Sequence, residues 1–289
     1  MKTNAIIRIV LFSLAILVLA SILLGVLTYE IYSFSFNLGR GHSKEIEEVT
    51  EQIDIEYIMR DVHNIEIEWV AGSITLQKDP NVNEIQVCES SPIDSKYTMV
   101  LKQSGQTLKI RFCEDDIGPI SLGINVNVSK DLKITVPADW ECGSLEIDTA
   151  AAEVVIQDLT IGEFDFDGAS GVCEIINCNV GEVDIDTASG DVYFSGTLDT
   201  LDCDAASADC TIEVTNIPRS IDLDGISGNL ELILPPDAGF ICKLDTLSGS
   251  FDSDFTFSTH SDTYVCGSGE CKINAKAMSG DVNILKGNA

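Results

Sequence analysis

From Leu145 onward the chain repeats itself. Leu145-Glu-Ile-Asp-Thr-Ala-Ala-Ala-Glu-Val-Val-Ile156, Phe164-Asp-Phe-Asp-Gly-Ala-Ser-Gly-Val-Cys-Glu-Ile175 and Val183-Asp-Ile-Asp-Thr-Ala-Ser-Gly-Asp-Val-Tyr-Phe194 follow one scheme. Leu201–Ile212, Ile221–Leu232 and Cys242–Ser253 continue it, and Met278-Ser-Gly-Asp-Val-Asn-Ile284 is a last fragment. The aspartate before each turn falls at 148, 167, 186, 204, 224 and 245, with spacings of 19, 19, 18, 20 and 21. Each copy alternates apolar and polar residues twice around a turn of small residues, which is the period of β-strands. Glycine in the Ser-Gly pair admits positive φ at the turn. Hairpins would also suit two strands and a turn. Because the first strand of each copy resembles the first strand of the next, parallel stacking puts like on like and buries a continuous core. The expectation is an all-β chain: a parallel β-solenoid with two short strands per coil of 19–21 residues, and coils ~4.8 Å apart.

The region before the repeat is also strand-like. Ile65-Glu-Ile-Glu-Trp-Val-Ala-Gly-Ser-Ile-Thr-Leu76 reads as a divergent copy, Ile120 to Val128 alternates, and Leu132, Ile134 and Val136 alternate up to Pro137. This portion is expected to start and cap the solenoid. The repeat is disturbed between about 254 and 272, which suggests an inserted loop near the far end. Together, the Ile-Glu-Ile…Ala-Gly-Ser-Ile-Thr-Leu strand, Leu-Lys-Ile-Thr-Val-Pro137 and the serial Thr-Ala-Ser-Gly-Asp-Val turns resemble the bacterial “putative adhesin” domain of unknown function, a family of β-strand repeats. The resemblance covers roughly residues 50–287. It implies an envelope-associated ectodomain, found in Gram-positive bacteria among others, with some members connected to envelope-stress signalling. It supplies no catalytic residues. Two features depart from it: the ten cysteines, and Ala151-Ala152 and Ser207-Ala208 where Ser-Gly is expected.

Ile9 to Leu27 carries no charge and, with Thr28 and Tyr29, is long enough to cross ~30 Å of hydrocarbon as a helix. Lys2 and Arg8 precede it and Glu30 follows, so the positive-inside rule keeps the N-terminus in the cytosol and the rest outside. Val18-Leu19-Ala20 is a tolerable cleavage pattern, but the apolar run continues through Leu27, beyond a usual signal h-region. The expected organisation is a cytoplasmic N-terminus (1–8), a transmembrane helix (9–29), a linker (30–50) and an extracytoplasmic β-repeat domain (51–289) at the cell membrane. The formal net charge of −30 argues against nucleic acid, whose phosphates call for a Lys/Arg surface.

The most pointed functional feature is the outward side of the first strand. One row holds Glu146, Asp165, Asp184, Asp202 and Asp222, and a second holds Asp148, Asp167, Asp186, Asp204, Asp224 and Asp245. Nothing basic enters either row before Lys243. In a stack, neighbours ~4.8 Å apart repel by about 0.9 kcal/mol per pair at the dielectric of water. Two offsets suggest themselves. Ca²⁺ could bridge Asp167, Asp186 and Asp204, since it takes oxygen ligands in flexible geometry. A cationic protein, peptide or cell-wall polymer could lie along the face. In the plainer alternative, the second row accepts hydrogen bonds from the turn amides and the first is a solvated face.

Cys173, Cys203, Cys210, Cys242 and Cys271 fall at inward positions, where Cys acts as a small hydrophobe. Cys173 and Cys210, two coils apart, are beyond disulfide reach. Cys203 with Cys210, and Cys266 with Cys271, are close enough in sequence to bridge. There is no Cys-x-x-Cys pair, and His42, His63 and His260 are isolated. No nucleophile elbow or phosphate-binding glycine loop stands out. The sequence therefore reads as a binding or scaffold module at the cell envelope, without catalysis and without a cofactor. An envelope-stress signalling component acting through a protein partner is one alternative, and a β-helix enzyme acting on polysaccharide is another. The last coil, Val282 to Leu285, is followed by a short tail, so self-association through an exposed edge there is also expected.

Overall fold

The computed structural model describes residues 55–90, 97–114 and 129–287. The apolar segment 9–29, its flanks 1–8 and 30–50, and the alternating run 120–128 lie outside these residues. Residues 52–289 form one compact unit. Among the described residues every regular element is a β-strand, and no helix is long and apolar enough to cross a membrane.

The strands before the repeat are β1 (Ile55–Met59), β2 (Asn64–Lys78), β3 (Ile85–Glu89), β4 (Val100–Ser104), β5 (Thr107–Arg111) and β6 (Lys130–Val136). The repeat supplies β7 (Cys142–Gln157), β8 (Thr160–Ser170), β9 (Cys173–Ser189), β10 (Val192–Ser207), β11 (Cys210–Val214), β12 (Ser220–Ser227) and β13 (Leu230–Leu234). Six more follow: β14 (Phe240–Ser248), β15 (Phe251–Ser253), β16 (Ser258–His260), β17 (Thr263–Cys266), β18 (Cys271–Ser279) and β19 (Val282–Lys286). Long strands such as β9 and β10 pass round a corner and contribute to two stacks.

The period-two pattern decides which side is buried. In β9, Val183, Ile185 and Thr187 are buried while Asp184 and Asp186 are exposed. Successive copies pair in parallel and in register. Leu145 lies beside Phe164, Phe164 beside Val183, Val183 beside Leu201, and Leu201 beside Ile221. The returning strands do the same, through Val154, Cys173, Val192, Cys210 and Leu230. Like residues thus meet like across every step, giving a single apolar core from Ile65 to Ile284. Side chain volumes vary within it: the coil carrying the buried rings of Phe164 and Phe166 returns through Cys173.

The turns explain the glycines. Gly171 has φ of +119°, and a Cβ there would stand 2.2 Å from the carbonyl oxygen of Ala152 in the preceding coil. Gly228, with φ of +140°, faces the carbonyl of Ala208 in the same way, at 1.9 Å. Ala152 and Ala208, the two departures from Ser-Gly, are themselves buried. They form the surface against which the next glycine closes.

Spatial order departs from chain order at both ends. The strand beside β12 is β18, and β14 lies beyond it. In the returning stack β19 sits between β13 and β15. The C-terminal coil is thus inserted between the coil of β12–β13 and that of β14–β15. This corrects the expectation of an exposed last edge: β19 is paired on both sides. At the other end β2 sits between β7 and the strands β5 and β6, which come later in sequence. The outermost strands at the two ends are short, and all but the three-residue β15, which pairs in parallel with β19, are antiparallel. β4 pairs with β5, β3 with β6, β1 with β3, and the β16–β17 hairpin covers β14. The irregular segment 254–272 is therefore part of an end cap. Short, turned-away edges of this kind discourage edge-to-edge association.

A buried ion pair fastens the N-terminal cap. Lys130 and Glu89 are fully buried, with Nζ 2.6 Å from Oε2. The ammonium also donates to the carbonyls of Tyr97 and Phe112 at 2.6 and 2.5 Å, so all three of its protons are used. The Trp69 and Phe112 rings lie 4.6 and 4.3 Å from it, and Trp69 Nε1 donates to the Lys130 carbonyl. Burial lowers the Lys130 pKa, against the opposing pull of Glu89.

Candidate functional site

The register assembles the carboxylates into two columns on the outer face of the first stack. The first runs Glu66, Glu146, Asp165, Asp184, Asp202, Asp222. The second runs Glu68, Asp148, Asp167, Asp186, Asp204, Asp224. All eight expected binding residues, Asp165, Asp167, Asp184, Asp186, Asp202, Asp204, Asp222 and Asp224, lie in these columns. Two further acids, Glu66 and Glu68, join them because β2 is a true member of the stack. The signal was present in the Ile65-Glu-Ile-Glu68 alternation. Asp245 is separated from Asp224 by Lys276, a direct result of the inserted coil.

Cations close both ends of the columns. Lys109 Nζ lies 2.5 Å from Glu68 and 3.5 Å from Glu66, and Arg111 reaches Glu68 at 3.5 Å. At the other end Lys276 pairs with Asp224 at 2.6 Å, and Asn274 donates to Asp222 at 2.6 Å. Between them stand Glu146, Asp148, Asp165, Asp167, Asp184, Asp186, Asp202 and Asp204, in contact with no Lys or Arg among the described residues.

The turn amides use other acceptors. Asp209 N donates to Asp191 Oδ1, Asn229 N to Asp209 Oδ1, Asp281 N to Asn229 Oδ1, and Ser250 N to Asp281 Oδ1. This side-chain ladder runs down the turn corner and corrects the reading in which the second aspartate row performs that task. Its effect is visible at Asp281, whose pKa is lowered by the Ser250 bonds.

Within the columns the shifts go the other way. Glu146, Asp148, Asp165, Asp186 and Asp202 are all raised, first by partial desolvation on the sheet and then by neighbouring carboxylates. Asp204 is pushed up to about 6, by desolvation and then by Asp224, Asp202 and Asp186.

As for metals, no group of three or more His, Cys, Asp or Glu among the described residues is arranged to hold an ion. Asp167, Asp186 and Asp204 stand in single file, one to a coil, whereas Ca²⁺ gathers six to eight oxygens. The inward thiols Cys173, Cys203, Cys210, Cys242 and Cys271 are buried and reduced, as is Cys266. Cys203 and Cys210 have their sulfurs 3.7 Å apart. A groove of about 490 Å³ lies at the opposite corner, lined by Tyr193, Asp158, Asn177 and Asn179 among others. Its polar groups largely bond one another, Asn177 to Asp158 and Thr197 to Asn179.

Residues 43–285 match the family described as Toastrack DUF4097. The chain belongs to the Toastrack DUF4097 family. This Toastrack chain is also similar to solved structures at low identity. One is a “putative adhesin” from Bacteroides fragilis NCTC 9343, with 14% identity, 83% of this chain and 99% of that chain covered, and a TM-score of 0.49. Another is a “putative lipid binding protein” from Parabacteroides distasonis ATCC 8503, with 16% identity, 81% and 97% covered, and a TM-score of 0.40. A third is a “putative cell adhesion protein” from Clostridium sporogenes ATCC 15579, with 13% identity, 82% and 100% covered, and a TM-score of 0.37. No curated protein matches the chain.

Proposed function

We propose that this Toastrack protein is a binding or scaffold module of the cell envelope. In this reading a parallel β-solenoid is carried outside the membrane by the apolar segment 9–29, and its acidic face receives a cationic protein, peptide or wall polymer. The observation that carries the reading is the run of eight carboxylates, in two columns, that among the described residues neither meets a cation nor accepts a turn amide. Like charges at strand spacing oppose folding. Salt does little at that range, since ~4.8 Å is shorter than the Debye length of ~8 Å. A cationic partner converts the opposing term into attraction.

The flat, repeated geometry fits display better than catalysis. Glycoside cleavage by paired carboxylates asks for two acids in contrasting environments across a substrate cleft. Here the acids stand in line along one sheet face, one to a coil in each column. The test uses residues 52–289, which form a compact unit of their own. Poly-lysine is expected to raise the melting temperature at low salt, and the rise is expected to fade above about 0.3 M NaCl as counterions screen the long-range part of the attraction. No shift with poly-lysine at low salt refutes the reading. A shift with millimolar Ca²⁺ and none with poly-lysine would assign the face to the metal instead.

A further inference from the structure

The face that carries the acidic columns has a third outward column, nearest the turn. Thr149 pairs with Gly168 and Ala151 with Ser170, and the same register continues from coil to coil. It sets Ala169, Ala188 and Ala206 in line, and continues the line through Ile226, Met278 and Leu247. The column is thus small in the middle and large at the C-terminal end. Leu247 is 80% exposed and Met278 is 52% exposed, and Ile226 is half-buried. Large apolar side chains that share an exposed surface row mark an interaction site more often than an isolated one does.

The neighbours of this ridge say what it can receive. One outward position inboard stand Asp167, Asp186 and Asp204, on the same strands as the three alanines. Alanine projects nothing beyond Cβ, so a ligand lying on the column approaches those carboxylates closely. A second copy of this chain would bring its own acidic columns against these, and like charge opposes that arrangement. An anionic lipid surface is repelled for the same reason. Inboard of the large residues stand Asp224, Lys276 and Asp245, with Lys276 engaged by Asp224, so the cation-free carboxylates lie beside the alanine part of the row. An apolar row flanked by Lys or Arg complements that arrangement. A basic amphipathic helix has that form. Its turns repeat every 5.4 Å, close to the ~4.8 Å between coils. A helix lying along the stack therefore sets residues at i, i+4 and i+7 over three successive coils with little drift.

We propose that the ridge of Ile226, Met278 and Leu247, with the adjoining carboxylates of Asp167, Asp186 and Asp204, is a docking surface for a basic amphipathic helix of a partner protein. The apolar stripe of the helix packs on the ridge and the alanine column, and its Lys or Arg flank faces the carboxylates. The proposal rests on the cationic-partner reading and adds to it a shape, an orientation and an anchor.

Three peptides of about 18 residues, long enough for several turns, separate the two ideas. One is a Leu/Lys helix with leucines at i, i+3, i+4 and i+7. The second is its scrambled isomer, equal in charge and composition. The third is a Lys/Ala helix. Each is titrated against residues 52–289 as wild type, as Leu247→Ser/Met278→Ser and as Asp186→Asn/Asp204→Asn, all surface changes whose folding circular dichroism checks. The amphipathic peptide should bind the wild type about tenfold more tightly than its isomer, as expected where a few anchors carry the affinity. The serine variant should abolish that advantage and leave the Lys/Ala helix unaffected. The asparagine variant should weaken all three peptides and flatten their salt dependence. If the isomer binds equally well, or the serine variant binds like wild type, the ridge is not the anchor and the acidic-face reading stands alone. If none of the peptides binds, both ideas fall. Dimerisation at high concentration that the serine variant loses would give the ridge to a second copy. Flotation with phosphatidylcholine vesicles would give it to lipid. Either result overturns the proposal.

Discussion

Asp204 shows how one position ties folding to the proposed function. It stands mid-column between Asp186 and Asp224, on a sheet that partly removes its water, and its pKa rises from 3.8 to about 6. The folded chain therefore holds this proton more tightly than the unfolded chain does. Stability from this group is present at low pH and is lost as pH rises from about 4 through about 6. Asp204→Asn removes the titration. The variant should be more stable than wild type at pH 7.5, by on the order of 0.5 kcal/mol once solvent screening is allowed for. The difference should vanish below pH ~4, where both side chains are neutral. Denaturant melts at the two pH values measure this, and a gain that persists at the acid end would assign it to packing. The position was readable from the repeat, because Asp204 belongs to a series spaced by 18 to 21 residues. The job of the turn acceptors was less readable. Asp191, Asp209 and Asp281 lie just past the small-residue turns, and sequence spacing does not say which carboxylate reaches which amide.

At the scale of elements, the central coils and the end coils follow different logic. Between β7 and β13 each coil lies on the one before it, so period and pattern in the sequence become register in space. At the ends that equivalence fails. β18 lies beside β12, and the whole β14–β17 segment lies outside it. The clue was chemical: where the aspartate columns continue into β18 they meet Asn274 and Lys276, which bond Asp222 and Asp224. Lys109 and Arg111 give the same sign at the other end, and period alone could not interpret either. The insertion has a mechanical consequence. β14 and β15 pair in parallel with β18 and β19, so a chain ending at Glu270 leaves β14 with its hairpin alone. An isolated hairpin is marginal in water. Limited proteolysis of that truncation should cut rapidly between about 240 and 266 while leaving the coils up to Leu234 intact. Protection of Phe240–Ser253 in the truncated chain would show that the cap closes without its inserted coil.

Across the whole molecule, the same carboxylates set stability and the proposed binding against each other. Glu146, Asp148, Asp165, Asp186, Asp202 and Asp204 are all raised, chiefly by desolvation and then by one another. For each, the folded state takes up its proton at a higher pH than the unfolded state. Through these groups acidification from neutral towards pH ~4 should stabilise the unit, against the opposite contribution of Asp79 and Asp281, whose pKa values are lowered. Protonation also erases the charge that a cationic partner would meet. Over one pH series the melting temperature should rise while the affinity for poly-lysine falls, with the steepest change near the Asp204 value of about 6. An ordinary soluble surface, whose acids titrate alike in folded and unfolded chains, would lose affinity on acidification without gaining stability. The opposed movement of the two curves thus distinguishes a face held charged against its own repulsion from one that is merely solvated. Parallel curves, or a melting temperature that falls steadily from pH 7 to pH 5, would remove the electrostatic basis of the proposed function.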